Sequence, residues 1–277
     1  AAKRAGVPKI IHSIHGPSFG PFQGWATNAL FRDAERFAGR MTDHFVTVAD
    51  AMRDQYLAAG ISQADDYTRI SSGFDLQPFL DAENSHTKRA SLGLSPGDFV
   101  VGKIARLFEL KGHDDLFAIA TRLAKRIPNI RFLLVGDGVW RGRFERLAKE
   151  IGCDQNFIFT GLVPPSEIPS LVGVMDALVH LSRREGLPRA LPQAMAAAKP
   201  VVAFDCDGAG EVCLDGKTGH LIEPGDLPKL EERLAKLAND APLRTALGQA
   251  GRKVVEEEFT VEQLVERQYE LYKRLLA

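Results

Sequence analysis

Two basic side chains and one carboxylate carry the chemistry that this sequence suggests. Arg106 and Lys111 lie in the run VVGKIARLFELKGHDDLF, after a strand-like segment that ends at Ile104 and before a new helical pattern. Two cations on one short loop at the carboxyl end of a strand suit a diphosphate, since Arg grips two oxygens in a fork and Lys acts as a point charge. A solvated loop pair is the alternative. The second stretch, SRREGLPRALPQAMAAAKPVVA over 182–203, sets Glu185 before a Gly186-Leu187-Pro188 turn and an Ala-rich helix. Pro188 suits the first turn of that helix, where no N–H is needed, and Lys199-Pro200 stops it. The open N–H groups and the positive dipole end at such a start favour a phosphate. By itself the segment also reads as an ordinary strand–loop–helix–strand unit of an α/β sheet.

Other motifs are weaker by their spacing. Gly136, Gly138 and Gly142 follow a strand in FLLVGDGVWRGRF, but as GxGxxxG and not the GxGxxG of a dinucleotide fingerprint, so they are a weak sign of a nicotinamide cofactor. GEVCLDGKT has five residues between Gly210 and Gly216 where a phosphate loop has four, and 215–219 reads better as a turn before a strand. Asp205 and Asp207 form a DxD of the kind that can hold a metal-bound sugar nucleotide. His12 and His15 make an HxxH whose rings fall on opposite faces of a strand, which argues against a shared metal. Taken alone, His15 reads as a hydrogen-bonded structural residue at a strand end.

The stretch around Glu185 is similar to the Glu-x7-Glu signature of retaining, nucleotide-sugar-dependent glycosyltransferases of family four, the GT-B type with two Rossmann-like domains. Gln193 stands where the family pattern has its second Glu. Gln is nearly isosteric with Glu and both accepts and donates, so a neutral ribose contact can survive the change. The resemblance implies that Glu185 accepts hydrogen bonds from the donor sugar and that Gln193 bonds the ribose. It puts Arg106 and Lys111 on the donor phosphates, where they neutralise charge on the departing nucleotide diphosphate. His15 would face the donor sugar, and the backbone at Gly161, Leu162 and Val163 would read the base edge. Gly208 and Gly210 would let the backbone approach the diphosphate, while Glu211 either caps its helix or touches ligand. The 135–138 run becomes an ordinary turn beside the nucleotide. The reaction that the resemblance implies is retaining, metal-independent hexosyl transfer from a UDP-, GDP- or ADP-linked sugar to a growing glycan or lipid-linked acceptor, as in polysaccharide biosynthesis. No cofactor and no side-chain nucleophile are implied, because the leaving phosphate helps to deprotonate the acceptor. A nucleotide-sugar-binding subunit or fragment without transfer activity is the alternative. An NAD-dependent oxidoreductase accounts only for the Gly136 region.

The elements that must position these residues alternate between strand and helix. Strand-like runs at 9–14, 44–48 and 67–71, with helical patterns at 28–39 and 50–59, form a first piece. The turn Gly73-Phe74-Asp75 and the polar stretch 81–87 follow it. A second series of strands at 99–104, 131–135, 157–160, 177–181, 201–204 and 219–222, mostly separated by helices, argues for a parallel, doubly wound α/β sheet. Such sheets bind ligands beyond the carboxyl ends of their strands. The resemblance divides the chain into a partial N-terminal, acceptor-side Rossmann-like domain over 1–85, a C-terminal nucleotide-sugar-binding Rossmann-like domain over 86–258, and a helix over 259–277 that packs back on the N-terminal domain. Thr260 and Gln263 give that helix a capping box, and Leu264, Tyr272 and Leu276 mark its apolar stripe. The opening AAKRAGVPKIIHSIHG has no initiating Met or helix cap. By resemblance it is a late strand of a domain whose earlier strands are absent, and the exposed apolar surface is expected to favour dimerisation.

Composition adds bounds. A chain of 277 residues, 45% hydrophobic and 26% charged, can bury a core, and a net charge of -1 gives no sign of nucleic-acid binding. Cys153, Cys206 and Cys213 form no CxxC and read as reduced thiols of a cytoplasmic protein without a zinc site. No signal peptide or apolar run of membrane-spanning length is present, which leaves room for peripheral contact at the inner face of a membrane.

Overall fold

Short runs that are apolar at nearly every position, rather than at alternate ones, mark strands covered on both faces. The structure, a computed structural model that describes residues 1–277, has nine strands: β1 (Ile11–Ile14), β2 (His44–Thr47), β3 (Tyr67–Arg69), β4 (Phe99–Ile104), β5 (Ile130–Val135), β6 (Phe157–Gly161), β7 (Ala177–His180), β8 (Val201–Phe204) and β9 (Gly219–Ile222). Helices α1 (Trp25–Gly39), α2 (Asp50–Ala58), α3 (Gln77–Leu80), α4 (His86–Ser91), α5 (His113–Arg126) and α6 (Arg141–Glu150) come between and beside the earlier strands. Later in the chain are α7 (Ile168–Gly173), α8 (Ala190–Ala196), α9 (Leu227–Asn239), α10 (Ala241–Glu258) and α11 (Val261–Leu276). Every strand pair is parallel, in one sheet of order β1-β2-β3 and another of order β6-β5-β4-β7-β8-β9. The chain divides into two compact units, Ala1–Phe74 with Glu185–Leu187 and Glu258–Ala277, and Asp75–Arg184 with Pro188–Glu257.

In the first unit β2 is buried at all four positions, and Phe45, Met52, Tyr56 and Ile61 make the core. The amphipathic α11 buries Leu271 against Val46 and Ile70. Its start is the capping box expected from sequence: Gln263 N donates to Thr260 Oγ1 at 3.1 Å and Thr260 N to Gln263 Oε1 at 3.4 Å. Strand pairing begins at Ile11 and not at Lys9, because the preceding Ile10 N donates to the Asp43 carboxylate at 2.8 Å. Helix α1 starts at Trp25, ahead of the periodic pattern, with Asn28 N bonded to Gly24 O at 2.9 Å. It buries no residue, and Trp25, Leu30 and Phe37 stand exposed.

The second unit packs α5 and α9 on its sheet, with Leu116, Leu123, Leu230 and Leu234 against Val101, Phe132, Val179 and Phe204. Strand order reverses between β4 and β7, which opens a crevice at their carboxyl ends. One anchor of this unit is polar. Arg89 on α4 is 3% exposed, and its guanidinium donates to the carbonyls of Ser95 (3.0 Å), Asp98 (2.6 Å) and Val174 (3.2 Å) and to Asn84 Oδ1 (3.2 Å). The polar stretch 81–87 therefore leads into a helix pinned by one side chain to the segments that enter β4 and β7. Nothing in the local sequence marks Arg89 for this.

Replacing Arg89 by Met leaves several buried carbonyls without donors and is expected to lower the unfolding free energy by about 3 kcal/mol. Arg89→Lys should restore only part of it, since an ammonium cannot span the same fork. Urea unfolding followed by circular dichroism checks both.

Candidate functional site

The Arg106 loop leaves β4 at Ile104 and is tied to its neighbours by backbone bonds. Ala105 N donates to Val135 O at 3.1 Å, and Leu107 N donates to Asp137 O at 2.9 Å. The next loop is tied in turn, with Gly136 N bonded to Gly161 O at 3.2 Å. Between them is a cavity of about 310 Å³, lined by Arg106, Val135, Gly136, Asp137, Leu162 and Val163 together with neighbouring apolar residues. Leu162 is 85% exposed at its rim. Apolar walls with one guanidinium and one carboxylate suit a flat polar ring beside an anion. Arg106, Leu162 and Val163, singled out from sequence, thus meet at one place with Gly161 beside them, and Gly136 and Asp137 of the 135–138 turn line the same cavity.

Lys111 follows on the same β4–α5 loop, which is fastened to the chain after β7. Arg183 N donates to Leu110 O at 2.8 Å, and Arg183 Nη2 donates to both oxygens of Asp115 on α5, at 2.7 and 2.9 Å. Asp137 is likewise engaged, by Arg141 at 3.3 Å and by Gly138 N at 2.7 Å. Arg106 has no carboxylate partner; its guanidinium carbon sits 4.6 Å from the ring centroid of Phe108. Three further basic side chains are buried close by, Lys103, His113 and His180. Burial first, then the charges of Lys103 and Lys111, push His113 down to about 2. The same causes hold His180 well below the ordinary imidazole value, so both rings are neutral. An edge where cations act on buried neutral rings is an environment for an anion.

Glu185–Leu187 groups with the first unit. There Gly186 lies against the exposed His15, so closely that a Cβ would come within 1.9 Å of His15 O. Leu187 packs on the core around Phe45 and Tyr56. The helix expected from Pro188 onward begins instead at Ala190 and has seven residues. The reason is Pro192, which has no N–H to give to Pro188 O; only a single turn forms there, with Leu191 N on Pro188 O at 3.2 Å, and Gln193 N makes the next bond, to Arg189 O at 3.3 Å. At the other end Ala198 turns to φ +52° and Lys199 N closes on Ala194 O at 2.9 Å, so the helix stops before Lys199-Pro200. Gln193 is half-buried on α8, and Gly208 and Gly210 lie in a 3₁₀ turn after β8.

His12 stands 3.9 Å from Glu35 and 5.6 Å from the Phe45 ring, on the other side of β1's pleat from its neighbours. The 215–219 segment is a turn, closed by Gly216 N on Gly219 O at 2.9 Å. Gly142 is the second residue of α6, and a Cβ there would meet only the Arg146 side chain, at 3.6 Å, so it does not serve the close helix–strand packing that the third glycine of a dinucleotide fingerprint provides. Cys153, Cys206 and Cys213 form no disulfide, and burial pushes Cys213 up to about 12.

Residues 84–254 match the family of glycosyl transferases group 1. The chain is 30% identical, over 91% of its length and 66% of the relative's, to a GDP-mannose-dependent alpha-(1-6)-phosphatidylinositol monomannoside mannosyltransferase of Mycolicibacterium smegmatis. It is 28% identical to a 2-deoxystreptamine glucosyltransferase of Streptomyces kanamyceticus, over 100% of this chain and 73% of that one. A crystal structure of HepE from Anabaena in complex with UDP superimposes with a TM-score of 0.87 at 23% identity, covering 99% of this chain and 74% of the other. The chain therefore spans about two-thirds of the length of the relatives it matches.

His113 stays unprotonated in the folded chain down to about pH 2, whereas its ordinary value is 6.5. The unfolded chain therefore binds the extra proton below pH 6.5, and this group's share of stability, intact above that pH, should fall by about 1.4 kcal/mol per pH unit as the solution is acidified. In urea unfolding at a series of pH values, His113→Leu is expected to flatten the acid side of the stability curve between pH 6.5 and 4. An unchanged slope would mean that the ring is protonated in the folded state.

Proposed function

The chain belongs to the glycosyl transferases group 1 family, and we propose that its second unit binds a nucleotide-diphosphate sugar at the carboxyl edge of the six-stranded sheet. The observation that carries this is the meeting of Arg106 with Leu162 and Val163 around one cavity. A base and ribose fill the apolar part, and the diphosphate extends toward Arg106 and Lys111, which stabilise the charge that grows on it as the sugar leaves. Glu185 holds the sugar hydroxyls, Gln193 the ribose, His15 faces the sugar, and the backbone at Gly208 and Gly210 comes close to the phosphates. The whole protein passes the sugar to a glycan or lipid-linked acceptor with retention, without a metal ion or other cofactor. A cytoplasmic location with peripheral contact at the membrane belongs to this reading, as does a dimer through apolar surface such as Trp25, Leu30 and Phe37 on α1. No helix is long and apolar enough to cross a membrane.

A binding protein without transfer activity is the second reading, favoured by Gln193 in place of a carboxylate. Turnover in the whole protein separates the two.

Arg106→Ala and Lys111→Ala should each weaken binding of UDP, GDP or ADP, whichever binds, by about 1.5–3 kcal/mol and leave the matching nucleoside unaffected. Calorimetry reads the difference, and equal losses for both ligands would remove these residues from the phosphates. A thermal-shift panel should show stabilisation by one of the diphosphates and none by NAD(H). Glu185→Gln is expected to spare diphosphate binding while lowering turnover in the whole protein, because a loosely held sugar loses its positioning.

A further inference from the structure

The 136–140 turn makes contacts that sheet formation does not require. Leu107 N donates to Asp137 O at 2.9 Å, and Trp140 N donates back to Leu107 O at 3.1 Å, so the loop that carries Arg106 is laced to the loop after β5 by both backbone groups of Leu107. Glycine is needed for that approach. A Cβ on Gly136 would come within 2.3 Å of Ala105 O, and one on Gly138 within 2.3 Å of Leu107 O; Gly136 also has φ +135°.

Aromatic rings extend the link. The Arg106 guanidinium lies over Phe108, and Phe108 is 6.2 Å from Trp140 between ring centroids. From Trp140 the series continues to Phe144 (6.0 Å), Phe117 (5.2 Å) and Phe157 (4.2 Å), all three in the hydrophobic core. Arg143 covers the other part of the indole, 4.8 Å from its centroid, and is itself bonded to Asp114. A side chain at the cavity is thus connected ring by ring to the rigid interior.

We propose that Phe108 and Trp140, carried on these two interlocked loops, are positioning residues that hold the Arg106 guanidinium in place before a diphosphate arrives. The inference deepens the donor-site reading and rests on it. A planar guanidinium stacks on a ring with its face and donates N–H bonds from its edge, so Phe108 and a phosphate fork are engaged at the same time. Holding the side chain in advance removes part of the ordering cost that a free Arg would incur on binding. Leu at 108 fills comparable space without the ring's negative face; Tyr keeps that face.

The test uses the 277-residue chain with Trp25→Phe, which leaves Trp140 as its one tryptophan. UDP, GDP, ADP and their nucleosides are titrated by calorimetry and by Trp140 emission. In that background Phe108→Leu is expected to weaken the bound diphosphate by about two- to fivefold, leave the nucleoside unchanged, and abolish the emission change at saturating diphosphate. Phe108→Tyr should restore both, and Trp140→Leu against Trp140→Phe repeats the affinity comparison from the second ring. Unchanged diphosphate affinity in Phe108→Leu, equal losses for diphosphate and nucleoside, or a loss that Phe108→Tyr shares would overturn the inference while leaving the donor site standing. Failure of the parent chain to bind any of the three diphosphates would overturn the donor-site reading and the inference with it.

Discussion

Parallel strands cannot be joined by tight turns; each must be followed by a crossover, and so every carboxyl end falls on the same edge of the sheet. In the second unit this constraint gathers loops that are far apart in sequence. The segments after β4, β5, β6 and β7 emerge side by side, and their backbones bond to one another as well as to their own strands. Arg106, Asp137 and Leu162 can share a cavity because of it. The order reversal between β4 and β7 adds the room that adjacent crossovers on one face would otherwise fill.

Charge at this edge is sorted by partner. Asp115 is held by Arg183, Asp137 by Arg141 and a backbone N–H, and Asp114 by Arg143. Arg106 is held by a ring instead of a carboxylate, which keeps its hydrogen-bonding edge available at little cost in solvation. Burial of His113 and His180 in the neutral form prevents two more positive charges from accumulating beneath the loop, where they would repel Lys103 and Lys111. Stability and the charge pattern of this edge therefore depend on the same few side chains.

The strands were legible because short apolar runs between turn or polar residues leave a local trace, as at β4, β8 and β9, whose limits agree with those read from sequence. Helix α11 was legible at its start, where a capping box is a short-range signal, but not along its stripe: the residue it buries is Leu271, while Tyr272 and Leu276, read as part of the apolar face, stand exposed. The start of α8 was misread, since Pro188 looks like a helix opener until Pro192 is considered as a missing donor one turn later. Arg106, Leu162 and Val163 were found as strand-end residues, which a parallel sheet must bring to one edge. Phe108, Trp140, Arg89 and Arg183 were not, because what each does depends on a partner far along the chain. Gly136 and Gly138 read in sequence as a weak dinucleotide fingerprint or an ordinary turn; that they admit the backbone of Ala105 and Leu107 depends on a distant partner and left no local trace.

The central claim is that the edge formed by the loops after β4, β5 and β6 receives a nucleoside diphosphate. Amide shift mapping of the 277-residue chain by nuclear magnetic resonance, titrated with UDP, GDP and ADP, tests it directly. The account predicts that at least one diphosphate moves the amides of Arg106, Gly136, Gly138, Leu162 and Val163 together, with a smaller response from the nucleoside near Arg106 than near Leu162. Shifts confined to other surfaces, or none with any of the three, would contradict it.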